Sequence, residues 1–268
     1  MTTPQLHLYD LAPDAVAFST TRLGGCSEGR YSSFNINRYC GDREDHIARN
    51  RKALCQRLNI SDDRLIMPHQ THETNVLRID EKFMAMTAEA RQKMLEGIDA
   101  LTTDLSSVCI GVSTADCIPV LLYDREHHAA AAIHAGWRGT VRRIVEKAVA
   151  SMTDSFGSRP EQLCAQIGPG ISLDSFEVGQ EVYEAFHSAG FDMAAISRRY
   201  PANEGSTGEK WHIDLPACNR RQLVSAGLPP HAISMSSICT FQHSDMFFSA
   251  RRLGIQSGRI FTGICLPQ

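Results

Sequence analysis

Two apolar runs, residues 108–112 and 129–133, constrain most strongly how this chain can fold. Each ends in a polar corner: Ser113-Thr114-Ala115-Asp116-Cys117 after the first, and His134-Ala135-Gly136-Trp137-Arg138-Gly139-Thr140 after the second. Both runs are strand-sized, and a strand that stops at a polar, glycine-containing corner is where a fold often sets its chemistry. A further apolar run, residues 118–123, lies between them, and only the short stretch 124–128 separates it from the second. That spacing predicts a hairpin.

Elsewhere the chain mixes strand-like and helix-like patterns. Strands are expected over 15–22, 75–79, 100–103, 109–113, 163–167, 233–238 and 259–265. In the first of these, Val16 and Phe18 share one face and Ala15 and Ala17 the other. Helices are expected over 45–58, where Ile47, Leu54 and Leu58 align, and over 140–152, where Val141, Ile144, Val145, Ala148 and Val149 align. Two more are expected over 177–189 and 216–226, while 84–95 reads as a helix or an insertion and 202–208 as a polar loop. No domain-separating linker and no fixed-period repeat occurs, so residues 1–268 are read as a single domain. Hairpin links mixed with helical crossovers place the chain in the α+β class, with mixed sheets.

The formal net charge of −3 leaves no electrostatic footprint for nucleic acid or an anionic membrane. No apolar stretch reaches the length of a membrane span. Nine cysteines are many, but the number is odd and no C-x-x-C occurs. They read as reduced thiols of a cytoplasmic protein. Residues 1–7 show neither the basic nor the apolar region of a secretory signal.

The two corners deliver a thiol, a carboxylate, an imidazole and a guanidinium, and Gln70-Thr71-His72 offers a second imidazole upstream. His72, Cys117 and His134 form a metal-ligand set of three, which suits a catalytic site with one position open. The same residues also suit a copper site of the two-His-one-Cys kind, or a metal-free pair with Cys117 as nucleophile and His134 as base. Asp116 can support the metal site or carry a proton. His69 and His72 are three apart but do not form H-E-x-x-H, so a metalloprotease is not indicated. The segment from Gly136 to Thr140 leads into a helix with Thr140 as its N-cap, a place where backbone N–H groups and Arg138 can hold a phosphate. Arg22 and Arg251 add further cations.

Read in order, several motifs resemble one family: Thr20-Thr21-Arg22-Leu23-Gly24-Gly25, Ser33-Phe34-Asn35, Gly41-Asp42, Asn50-Arg51, Gln70-Thr71-His72, Asp99-Ala100-Leu101, Thr114-Ala115-Asp116-Cys117, His134-Ala135-Gly136-Trp137-Arg138-Gly139, Ile167-Gly168-Pro169 and Phe247-Phe248-Ser249-Ala250-Arg251-Arg252. They resemble the laccase-domain family, the bacterial YfiH/YlmD group related to vertebrate FAMIN. The resemblance implies a four-layer α/β/β/α sandwich and zinc on His72, Cys117 and His134. It implies phosphorolysis of adenosine, inosine and methylthioadenosine, with adenosine deamination at the same site. It also implies Asn35 and Gln70, together with Arg22 and Arg251, as contacts for substrate or phosphate. An older description of the family as copper-dependent polyphenol oxidases, and a proposed role in peptidoglycan editing, are the alternatives. The chain departs from the family pattern at Glu73, where glycine is usual, at Cys239-Thr240-Phe241-Gln242, where a second cysteine often follows, and at Ser257-Gly258-Arg259.

Overall fold

The computed structural model describes residues 3–201 and 208–267. Most of the expected loop at 202–208 therefore lies outside the described residues. One five-stranded sheet has the order β1 (Leu6–Ala12), β2 (Ala15–Thr20), β14 (Ile260–Cys265), β6 (Cys109–Thr114) and β3 (Leu65–Ile66). A six-stranded sheet has the order β13 (Ile233–Met235), β9 (Leu163–Ile167), β7 (Ile118–Asp124), β8 (Ala129–Ala135), β5 (Ala100–Thr103) and β4 (Val76–Ile79). Both sheets mix parallel and antiparallel pairs. A small antiparallel sheet joins β10 (Glu177–Val178), β12 (Glu209–Ile213) and β11 (Ser197–Pro201).

Side-chain alternation along the central strands explains the layering. Leu121, Tyr123, Ala130 and Ala132 face the other large sheet, where they meet Ala17, Ile110, Val112 and Ile264. The residues between them, Val120, Leu122, Ala131 and Ile133, point the opposite way. There they pack on Ile144, Val145, Ala148, Val149 and Met152 of helix Ile144–Phe156 and on Leu215, Cys218 and Leu223 of helix Leu215–Ser225. On the outer face of the five-stranded sheet, Phe18 and Phe261 pack with Leu54 and Cys55 of helix Glu44–Leu58. The result is helix, sheet, sheet, helix. Strands covered on both faces must be apolar throughout, which is why β7 and β8 read as unbroken apolar runs.

The expected hairpin is present: β7 and β8 pair antiparallel, with Pro119 opposite His134 and Ile118 opposite Ala135. The preceding corner is less expected. β6 and β7 belong to different sheets, so Ser113 to Cys117 is the crossing between them.

Several boundaries differ from the sequence reading. The helix expected from Thr140 begins at Trp137 with Gly136 as its N-cap, ends at Val141, and resumes at Ile144. Arg143, at φ 63°, makes the break. Thr140 lies inside the first piece, where its carbonyl accepts from the Gln222 side chain at 2.7 Å. Residues 177–178 form a strand, and the helix starts only after Gly179. The strand expected over 233–238 stops at Met235. Within residues 84–95 the helix is Ala88–Met94, and a separate short helix, Glu81–Met84, precedes it. β1 and β11 had no clear pattern in the sequence. All nine cysteines are free. Among the described residues no helix is long and apolar enough to cross a membrane.

Candidate metal centre and its cleft

His134 is the penultimate residue of β8 and is buried. Its Nδ1 lies 2.7 Å from Oδ1 of Asp99, a fully buried carboxylate just before β5. Asp99 also accepts from the backbone N–H of Thr71 at 3.3 Å, His72 at 3.1 Å and Glu73 at 2.8 Å. One carboxylate thus aims one imidazole and folds the loop that carries the other. His72 sits in that loop at φ 64°, and Arg142 donates to its carbonyl. Arg142 also pairs with Glu73, the residue that departs from the family pattern.

Cys117 closes the crossing between the sheets. The hairpin register sets it one step beyond the Ile118–Ala135 pair, level with Gly136. Its Sγ is 3.8 Å from Nε2 of His72. One ligand atom from each of His72, Cys117 and His134 lies within 4.8 Å of the others. Two ligands on a tetrahedral zinc, with bonds of about 2.0–2.3 Å, stand roughly 3.5 Å apart. A Cβ on Gly136 would come within 2.9 Å of the His72 ring and 3.0 Å of the Cys117 sulfur. Glycine there leaves the ligands their space, and the donor set fits a metal ion.

The cluster is electrostatically coupled. Burial opposes the charged thiolate, but attraction to His134 and hydrogen bonds from both histidines lower the Cys117 thiol to about 6. For His134, burial again opposes the charged form, while Cys117 and Asp99 raise it to about 9. Asp99 is desolvated by burial too, yet the hydrogen bond from His134 keeps its carboxyl below the usual range.

The sequence-predicted residues separate into those at the cluster and those tied up around it. A cleft of ≈180 Å³ is lined by His72, Cys117, His134, Gln70 and also Tyr39, His69 and Arg259. A larger hollow of ≈670 Å³ lies along helix Glu44–Leu58, away from these ligands. Gln70 locks onto β6, accepting from the Ser113 N–H at 2.7 Å and donating to the Ser113 carbonyl at 2.8 Å. Asp116, at φ 84°, turns away from the ligands. Its Oδ1 accepts from the Thr240 hydroxyl at 2.8 Å and its Oδ2 from the Arg251 N–H at 2.7 Å. Asn35 is buried and bridges Asp42 at 2.9 Å and the Arg259 N–H at 3.2 Å, so it shapes the loop rather than the cleft wall. The Arg22 guanidinium donates to the carbonyls of Ser32 and Ser244, and that of Arg251 to the carbonyl of Glu177. Arg138 is exposed and lies over the Trp137 ring at 4.3 Å, outside the cleft wall.

Asp99 and Arg142 were missed as functional candidates in the sequence. Asp99 carried a signal in the Asp99-Ala100-Leu101 motif, at the mouth of a strand. Arg142 carried none, since its role depends on reaching across to residues 72 and 73.

A four-layer sandwich with a His-Cys-His cluster on an inter-sheet crossing defines a class of protein. The chain belongs to the family described as multi-copper polyphenol oxidoreductase laccase, whose sequence model matches residues 16–267. A purine nucleoside phosphorylase of Bacteroides thetaiotaomicron is 51% identical over 249 residues, covering 93% of this chain and 90% of that protein. Adenosine deaminase RL5, from an unknown prokaryotic organism, is 47% identical over 250 residues, covering 92% of each. Among solved structures, YfiH of Bacillus licheniformis superposes with a TM-score of 0.88 at 28% identity, covering 98% of this chain and 97% of that one. YlmD of Geobacillus stearothermophilus gives 0.86 at 27% identity, covering 97% and 94%.

Proposed function

We propose that this protein is a zinc-dependent purine nucleoside phosphorylase that splits adenosine, inosine and methylthioadenosine with phosphate and also deaminates adenosine. The observation that carries the reading is the three-ligand set of His72, Cys117 and His134 at the wall of a small polar cleft. The names borne by relatives at 47% identity or more supply the reaction class.

Zinc bound there would supply an open coordination position and lower the pKa of a bound water to about 7. The chain's own residues do the rest. Asp99 holds the Nδ1–H of His134 and so presents Nε2 to the ligand set. Gln70 fixes the start of the His72 loop against β6. Asp116 positions Cys117: its side chain ties the corner to Thr240 and to residue 251, and its carbonyl accepts from the Ile171 N–H at 2.9 Å. Arg138, exposed on the helix that follows Gly136, is our candidate for phosphate; Arg22 and Arg251, held by backbone carbonyls, add positive charge, and Asn35 shapes the loop through Asp42 and the Arg259 N–H. Holding phosphate in line with C1′ of the ribose can lower the barrier by about 7–11 kcal/mol at most.

The test is metal content by mass spectrometry on tag-free protein, paired with incubation in adenosine and phosphate. Stoichiometric zinc with phosphate-dependent adenine supports the phosphorylase, and inosine formed without phosphate supports the deaminase. Copper, with oxygen uptake on a phenol and no base release, would replace this reading with the oxidase one.

A further inference from the structure

One pair of rings on the cleft wall has no part in the ligand set. Tyr39 and His69 stack with centroids 3.8 Å apart and planes 17° from parallel. Both border the same cleft as His72, Cys117 and His134. Neither ring is in the core, so burial of apolar surface does not account for the pair. Nδ1 of His69 lies 2.7 Å from Oε1 of Glu96. The His69 backbone is bracketed as well, its N–H donating to the Leu95 carbonyl and its carbonyl accepting from the Gly97 N–H, each at 2.9 Å. The imidazole is thus oriented by a carboxylate, a stacked ring and two backbone bonds, and its Nε2 is left for something else.

Phosphorolysis of a purine nucleoside requires such a group. As the C1′–N9 bond breaks, negative charge builds on the departing base, and a proton delivered to N7 removes it. Of the other groups of this wall, the Thr114 hydroxyl has no partner but is far too weak an acid to protonate a base, and several more are committed. Gln70 is bonded at both ends of its amide to Ser113. Cys40 donates to the Asn37 carbonyl at 3.3 Å. The guanidinium of Arg259 donates to the carbonyls of Ser257, Gly258 and Ile255. His134 is held between Asp99 and the ligand set.

We infer that His69, oriented by Glu96 and Tyr39, is the general acid that protonates N7 of the leaving purine. This rests on the phosphorylase reading above. In the step, the Nε2 proton of the His69 imidazolium passes to N7. The electron pair of the C1′–N9 bond goes to the base, and a phosphate oxygen forms the new bond to C1′. His69 is left neutral, with its Nδ1–H still on Glu96. The charged groups around the ring pair are Glu96 beside His69, and Arg38 and Glu96 acting on the Tyr39 phenol.

The test compares inosine with 7-methylinosine, whose base already carries the positive charge and needs no proton. Metal-loaded full-length protein is assayed with phosphate as wild type, His69→Gln and Glu96→Gln. His69→Gln should lower kcat on inosine by about 100-fold or more and leave 7-methylinosine within a few-fold of wild type. Glu96→Gln, an exposed substitution, should lower kcat on inosine several-fold and likewise spare 7-methylinosine. Equal losses on both nucleosides, with zinc content retained, would overturn the assignment and leave His69 a wall residue. Absence of phosphate-dependent base release from either nucleoside by wild type would be a different failure, that of the phosphorylase reading, and the assignment would go with it.

Discussion

At the scale of single residues, the site depends on two side chains doing different jobs. Cys117 supplies the only sulfur in the ligand set, so Cys117→Ala should abolish both phosphorolysis and deamination while circular dichroism shows the fold retained. A phosphorolysis rate that survives the substitution would remove the metal from that step. Asp99 touches no candidate substrate position, yet it accepts from His134 and from three successive backbone N–H groups at 71–73. Asp99→Asn keeps the size but offers only one acceptor oxygen. Metal affinity, measured by competition with a chromophoric chelator, should fall by about 10–100-fold. The ligands were legible in the sequence because each stands at the end of an apolar run or just after one. Asp99 was legible only as part of a motif, because a carboxylate before a strand has no local mark that says which imidazole it will meet.

At the scale of elements, the corner after β8 shows why a glycine can be demanded by space rather than by backbone conformation. Gly136 has φ −67° and ψ 168°, values open to any residue. The constraint is the 2.9–3.0 Å approach of a Cβ to His72 and Cys117. Gly136→Ala should therefore cut metal occupancy at limiting metal while shifting the melting point of the metal-free protein little. A large loss of metal-free stability would mean that the corner itself, and not the ligand pocket, needs the glycine. The helix after this corner was expected to run unbroken from Thr140. It is instead two pieces, because Arg143 adopts a left-handed conformation that local periodicity does not report. The side chain of Arg143 donates to the Ala189 carbonyl at 2.9 Å.

At the scale of the whole molecule, the buried Cys117–His134 pair sets an unusual pH response. His134, raised from 6.5 to about 9, contributes stability that is full below pH 6.5 and is lost as pH rises through about 9. Cys117, lowered from 9.0 to about 6, contributes stability that is full above pH 9 and is lost as pH falls through about 6. Between these limits one contribution fades as the other grows, because folding moves a proton from thiol to imidazole without releasing it. The melting temperature of the metal-free protein should therefore change little with the titration of this pair between pH 6 and 9, and ultraviolet absorbance should show a thiolate across that window. Loss of that absorbance at pH 7, or its persistence in Cys117→Ser, would show that the pair is not charged in this way.

The sequence by itself determined the apolar runs, the hairpin of β7 and β8 and the main helices, and it pointed to the three candidate ligands at the polar corners. These are local properties, carried by side-chain period and by turn residues within a few positions. Only the tertiary structure decided that β6 and β7 lie in different sheets, which makes the Thr114-Ala115-Asp116-Cys117 corner a crossing and brings it level with Gly136. It also decided that Asp116 faces Thr240, that Arg142 clamps residues 72 and 73, and that Tyr39 stacks on His69. β1 and β11 emerged only there too, since an edge strand owes its conformation to the neighbour it pairs with more than to its own residues. Contacts between residues 30 to 124 positions apart depend on how the layers close over one another, and no window along the chain contains that information.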